Sequence, residues 1–190
     1  MSAINEFGTG SRETNDYGEP IFKGVIYAEL IDFDNDGVPE LLYIHGDESA
    51  PASAVCVIYR YSTESVDLLG SYHLYLNHLW ISIAESKNGI SYLCYSDGDS
   101  FGLYDSYYTI IDEQWTEVLS LAHHIEEIYD NDGDWLRDEF EWFVNGNNVT
   151  EQVYNDALEI DLEIANIRQI NIFDDSFFTV NDVLNELENR

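Results

Sequence analysis

Short runs rich in Val, Ile, Leu and Tyr recur along most of the chain, each closed by turn-forming residues, and this rhythm predicts strands. "ELLYIHG" (40–46), "SAVCVIYRYS" (53–62), "DLLGSYHLYL" (67–76), "LWISIAES" (79–86) and "GISYLCYS" (89–96) all read this way, with Lys87-Asn88-Gly89 as one of the separating turns. "DSYYTIIDEQWTEVLSL" reads as a hairpin turning at Asp112 to Gln114. The run "WTEVLSLAHHIEEIYD" also fits a helical stripe through Trp115, Val118, Leu119, Ala122 and Ile125, and is assigned to strand. "EFEWFVNGNNV" is an alternating strand followed by a turn at Asn145 to Asn148. Tyr17 to Ala28 is short and mixed in pattern.

After that turn the period changes. Thr150 is a good N-cap for a helix running to about Glu163, and Thr179 with Asp182 three residues on opens a second, capping-box-like start. The expected fold is therefore α+β: an antiparallel meander of about six to eight strands with short helices near the C-terminus. No Pro, Gly or Ser-rich linker interrupts it, so residues 13–190 are expected to form a single domain. "EFGTGS" is what a run of common cloning sites would encode, and Met1 to about Arg12 reads as vector-derived.

Charge changes this picture most. With 38 Asp plus Glu against 7 Lys plus Arg the net is −31, which argues against a nucleic-acid backbone or an anionic membrane surface as partner. Up to Ser96 there are 14 acidic and 4 basic residues; from Asp97 onward there are 24 and 3, so self-repulsion falls on the second half. No run approaches the ~18 consecutive apolar residues of a membrane span. The two cysteines, Cys56 and Cys94, lie in apolar strand-like runs and read as buried thiols or as a single cross-strand disulfide.

The densest chemistry lies in "LIDFDNDGVPELLYI", Leu30 to Ile44. Calcium takes six to eight oxygen ligands, and alternate residues of a curling loop can aim them at one point. Asp32, Asp34 and Asp36 would supply carboxylates, Gly37 the sharp turn, Val38 a backbone carbonyl, and Glu40 a ninth-position ligand, direct or through water. An EF-hand would carry a bidentate Glu at position 12, between helices; here that position is Tyr43, inside a strand. Binding weaker than an EF-hand's, about 10⁻⁴ to 10⁻³ M, would suit an extracellular module. A plain acidic surface turn is the simpler alternative.

"YAELIDFDNDGVPELLYI" resembles the D-x-D-x-D-G-x-P-E-L calcium loop of secreted proteins and lipoproteins from anaerobic Gram-positive bacteria, and is similar to the loops of dockerins and integrin-type propeller blades. "EWFVNGNNVTEQVYNDAL" is similar to a strand, N/D-G, V-S/T-x-x-x-Y element of the same proteins. The resemblance implies an exported or cell-surface, calcium-stabilised domain whose native signal or lipid anchor lay upstream. Only one good copy of the loop is present, which speaks against a propeller.

Other clusters carry less. Asp130, Asp132, Asp134 and Asp138 repeat the theme with Gly133 one place early, and read as a solvated acidic loop or a second ion site. Adjacent His123 and His124 would point apart, and His73 with His78 fits no zinc spacing. Serine-nucleophile, phosphate-cradling and thiol-protease patterns are missing, so a non-catalytic role is expected. Trp80, Trp115, Trp135 and Trp142 leave a carbohydrate-binding module, with a cell-wall or polysaccharide ligand, as one alternative. An acidic nucleic-acid mimic or immunity-type protein that binds a basic partner is another.

Overall fold

The structure is a computed structural model that describes residues 10–47, 50–61, 65–75, 79–130 and 132–172. The helix expected from Thr179 lies outside the described residues. The chain divides into two compact units, residues 1–76 with 170–190, and residues 77–169. Antiparallel strands dominate both, as an α+β meander requires.

In the first unit, β1 (Ser11–Thr14) and β2 (Pro20–Lys23) form a hairpin, and β3 (Val25–Ile31), β4 (Glu40–Gly46), β5 (Ser53–Tyr61) and β6 (Val66–Tyr75) form a meander. Residues opposite one another in a ladder share a face. Leu42 pairs with Ile58 and Ile44 with Cys56, and all four are fully buried. On the other face Tyr43 pairs with Val57, and the two pack with Val25. Burial on both faces explains why "ELLYIHG" and "SAVCVIYRYS" read as continuous apolar runs rather than alternating ones. At the end of β4, Gly46 is required by close approach: a Cβ there would lie 1.9 Å from the Phe22 carbonyl oxygen.

In the second unit, β7 (Leu79–Ser86), β8 (Ser91–Asp99), β9 (Gly102–Ile111), β10 (Gln114–Tyr129), β11 (Trp135–Val144) and β12 (Asn147–Val149) continue in sequence order. A single described helix, α1 (Glu151–Asp161), follows, and β13 (Ile164–Ile170) returns to pair with β7. Thr150 caps α1 as expected, its hydroxyl accepting from Val153 N–H. The helix lays Ala157, with Tyr154 and Leu158 beside it, on a sheet face that buries Cys94, Tyr107, Leu119 and Leu121. The ambiguous run from Trp115 is strand throughout, because its helical stripe coincides with a β-bulge: Glu117 pairs with Tyr108 and Leu119 with Tyr107, leaving Val118 as the extra residue.

Thirteen strands are described, more than the six to eight expected. The additions are the short β1, β2 and β12, the run Val25–Ile31, and β13, whose mostly exposed "IANIRQI" carries little alternation to read. Among the described residues no helix is long and apolar enough to cross a membrane.

Two-residue turns hold the second meander in register. Asp112 and Glu113 have φ of 50° and 65°, and Asn145 and Gly146 of 50° and 73°, the left-handed pair that matches strand twist. Asn145 also accepts a bond from Ser120 N–H through Oδ1 (2.9 Å) and donates its own N–H to the Ser120 carbonyl (2.8 Å). Asn145→Ala is therefore expected to cost about 1–2 kcal/mol, combining a left-handed backbone without Asn tolerance and the lost Ser120 bond. Urea unfolding would read it as a lower midpoint at unchanged slope.

Candidate metal centre

The aspartate loop is the connection between β3 and β4. Ile31 pairs with Glu40, so the eight residues 32–39 leave and re-enter the sheet at one point. Within it Asp32 organises the backbone, its Oδ1 accepting from Asp36 N–H (3.1 Å) and its Oδ2 from Gly37 N–H (2.9 Å). Asp36 Oδ1 accepts from Val38 N–H at 2.7 Å. Gly37 has φ of 88° and Asn35 of 57°; glycine and asparagine are the residues that tolerate this region. The outcome is convergence: oxygen atoms of Asp32, Asp34 and Asp36 lie within 4.8 Å of one another, the one such grouping of three potential ligand residues among the described residues.

Glu40 stands apart from this group. It is the first residue of β4, only 1% exposed, and both its oxygens are engaged: Oε2 accepts from Phe33 N–H (3.2 Å) and Oε1 from Arg60 Nε (3.3 Å). Arg60 also reaches Asp34, donating from its terminal nitrogen to Oδ2 at 2.6 Å. The register accounts for this: Leu41 pairs with Tyr59, and the next step along β5 brings Arg60 beside Glu40. Burial pushes the Glu40 carboxyl above its ordinary value, with Asp34 adding to the rise; the Phe33 N–H and Arg60 oppose it. For Arg60 burial works against the charged form, but Glu40 and Asp34 outweigh it and raise its pKa.

Arg60 was missed from the sequence because it lies 26 residues after Asp34. A signal was present: it is one of only four basic residues up to Ser96, and it sits inside an otherwise apolar strand.

The donor set suits a hard cation. All the side-chain ligands are carboxylate oxygens, the chemistry calcium selects. Asp34 Oδ1 is buried without a hydrogen-bond partner among the described residues, while its Oδ2 is taken by Arg60. Four carboxylates against one guanidinium leave a local charge of −3 with all four ionised (−4 + 1). Val38 is exposed, with its N–H directed to Asp36.

The other sequence candidates are accounted for locally. Asp130 is a turn cap: its Oδ1 accepts from Asp132 N–H and Asp134 N–H, both at 2.9 Å, while Asp138 accepts from Trp135 Nε1. His123 and His124 point to opposite faces, the first against Trp142 and Tyr154, the second against Tyr104 and Phe143. His73 stacks on Tyr75, and His78 lies outside the described residues. Cys56 and Cys94 are free buried thiols; burial raises both, Cys94 to about 11. Trp115 stacks on Tyr108 across the β9–β10 hairpin.

No protein-family model matches the chain, nor does any curated protein sequence or any solved structure. The loop therefore has to be interpreted from its own chemistry.

Removing Arg60 would leave Glu40 buried and uncompensated. Arg60→Gln is expected to cost about 3 kcal/mol at neutral pH. Glu40→Gln, which removes the buried charge along with its partner's need for it, should cost less. Because Glu40's folded pKa lies above its unfolded value, its ionisation opposes folding. Its contribution is present in full below the unfolded value of about 4.5 and is lost as pH rises through the folded value. Chelator-treated protein should thus gain stability from this group when taken from pH 7 towards pH 4.5, and Glu40→Gln should gain measurably less. Thermal melts of the two proteins at both pH values check this.

Proposed function

We propose that this is a non-catalytic, exported or cell-surface bacterial domain in which the loop from Asp32 to Asp36 binds a structural calcium ion. The observation that carries this is the convergence of three carboxylates, one of whose oxygens, Asp34 Oδ1, is buried with no hydrogen-bond partner among the described residues. A divalent cation would reduce the local charge from −3 to −1 and give that oxygen a ligand. The Val38 carbonyl and water would complete the coordination.

The placement of Glu40 refines the sequence expectation. A carboxylate bonded to both Arg60 and Phe33 N–H serves the fold first, and the loop is left with three charged ligands. Fewer charged ligands means weaker binding, in the range of extracellular calcium modules, about 10⁻⁴ to 10⁻³ M. Such a site fills outside a cell and stays empty in a cytosol, which supports export. The ion's role would be to hold β3 and β4 at their common end, adding to a fold that Arg60 already ties together.

At free calcium about 100 times the dissociation constant, linkage adds roughly 2.7 kcal/mol to stability. The melting midpoint should rise with millimolar calcium, and rise less with magnesium at equal ionic strength, since magnesium demands near-ideal octahedral geometry and sheds water reluctantly. Asp36→Asn keeps an acceptor for Val38 N–H while removing one charge, and should abolish most of the calcium response with little change in chelator. Equal midpoints in chelator, calcium and magnesium would reduce the loop to an acidic turn.

A further inference from the structure

We infer that the outer half of the β10–β11 hairpin is a docking surface for a basic protein, one presenting an apolar centre ringed by Lys or Arg. Opposed residues place His123 with Trp142, Ile125 with Phe140, Glu127 with Asp138, and Tyr129 with Trp135 on one face. At the inner end this face is covered: Tyr154 of α1 packs on Trp142 (4.8 Å between ring centroids) and on His123 (6.1 Å). The apolar strip continues past the helix with no described residue of α1 over it. Phe140 lies parallel to Trp142 at 6.0 Å and is 51% exposed; beyond it Trp135 is 58% and Tyr129 51% exposed, with Leu136 at 53% on the β-bulge between them. Four large hydrophobic residues more than half exposed on one hairpin are what a free surface avoids and an interface uses.

The polar edges of the two outermost rings are already committed. Trp135 Nε1 donates to Asp138 Oδ1 (3.0 Å) and the Tyr129 hydroxyl donates to Glu127. These bonds fix the rings and leave their faces for contact, which lowers the ordering cost of binding.

Charge selects the occupant. Between Glu126 and Glu141 there are eight carboxylates and one cation, Arg137, which is itself bonded to Glu139; Glu127 and Asp138 lie on this face, Asp130, Asp132 and Asp134 at the turn, and Glu126, Glu139 and Glu141 on the opposite face. A second copy of this chain would set acidic surface against acidic surface, and nucleic acid or an anionic membrane would be repelled for the same reason. A neutral sugar could stack on the rings but would gain nothing from the surrounding charge. A basic protein surface gains from both, through apolar burial at the centre and complementary potential at the rim.

The test uses the full chain in chelator, so that the calcium loop plays no part, with two synthetic peptides of equal length and charge as probes. One is an amphipathic Lys/Leu helix and the other a Lys/Ser sequence. The Lys/Leu peptide should bind about tenfold or more tighter, weaken between about 50 mM and 300 mM NaCl, and slow hydrogen exchange in residues 125–129 and 135–142. Phe140→Thr with Trp135→Thr, which keeps charge and strand propensity, should erase the preference for the Lys/Leu peptide. Glu127→Gln with Asp138→Asn and Asp132→Asn, which keeps the rings and an acceptor for each ring's polar edge, should erase most of the salt dependence. Equal binding of the two peptides, protection elsewhere in the chain, or salt-insensitive binding of a neutral oligosaccharide to these strands would overturn the proposal.

Discussion

A carboxylate almost wholly withdrawn from water at the first residue of a strand needs a fixed donor, and in this chain Arg60 provides it. Glu40 accepts from Arg60 and from Phe33 N–H, so one side chain ties the start of β4, the start of the aspartate loop and the end of β5. Taking two charges out of water costs several kcal/mol per ion, recovered only with good geometry and satisfied hydrogen bonds. Here the glutamate has both oxygens bonded and the arginine is shared with Asp34. The pair is better regarded as a positional constraint than as a net source of stability. It dictates where the loop begins, which carboxylate faces the sheet and which face the loop interior.

The two units handle their charge differently. In the first, the crowded carboxylates lie around a partly buried arginine. In the second, residues 77–169 carry 20 acidic and 3 basic side chains, for a net of −17 (−20 + 3), and a net of −8 (−9 + 1) lies along β10, β11 and the turn between them. Asp105 shows what burial does to such a group when no cation is bonded to it: burial raises its pKa, against the Ser96 hydroxyl bond and the proximity of His123. Most of the other acids stay on exposed strand, turn and helix positions, where water and salt do the screening. The hairpin is thus held mainly by backbone pairing and turn geometry, and its acids stay at the surface, several of them bonded to neighbours on the same hairpin.

How much of this could be read from the sequence depended on distance along the chain. Strands β4, β5, β7 and β8 were legible because dense apolar runs buried on both faces leave little alternative to a strand. The cap at Thr150 and the turn at Asn145 were legible because each is a contact within a few residues. The convergence of Asp32, Asp34 and Asp36 followed from alternation in one loop. Glu40's partner did not, because the register that puts Arg60 beside it passes through a second hairpin. Nor did the exposure of Phe140 and Trp135: an alternating aromatic strand looks the same whether or not a helix covers it, and α1 extends only over the inner end of the face.

The shared position of Asp34 has a consequence for any ion in the loop. Its Oδ2 is held by Arg60 at 2.6 Å, while Oδ1 is buried without a hydrogen-bond partner among the described residues, so one carboxylate would stand between a guanidinium and a divalent cation. The two cations repel, which weakens ion binding. Yet Arg60 also fixes the Asp34 rotamer before the ion arrives, which removes an ordering cost from binding. A calcium site built this way would give up affinity for a carboxylate set in place in advance. That trade would suit an ion abundant outside the cell: calcium would stiffen the junction of β3 and β4 that Arg60 ties together.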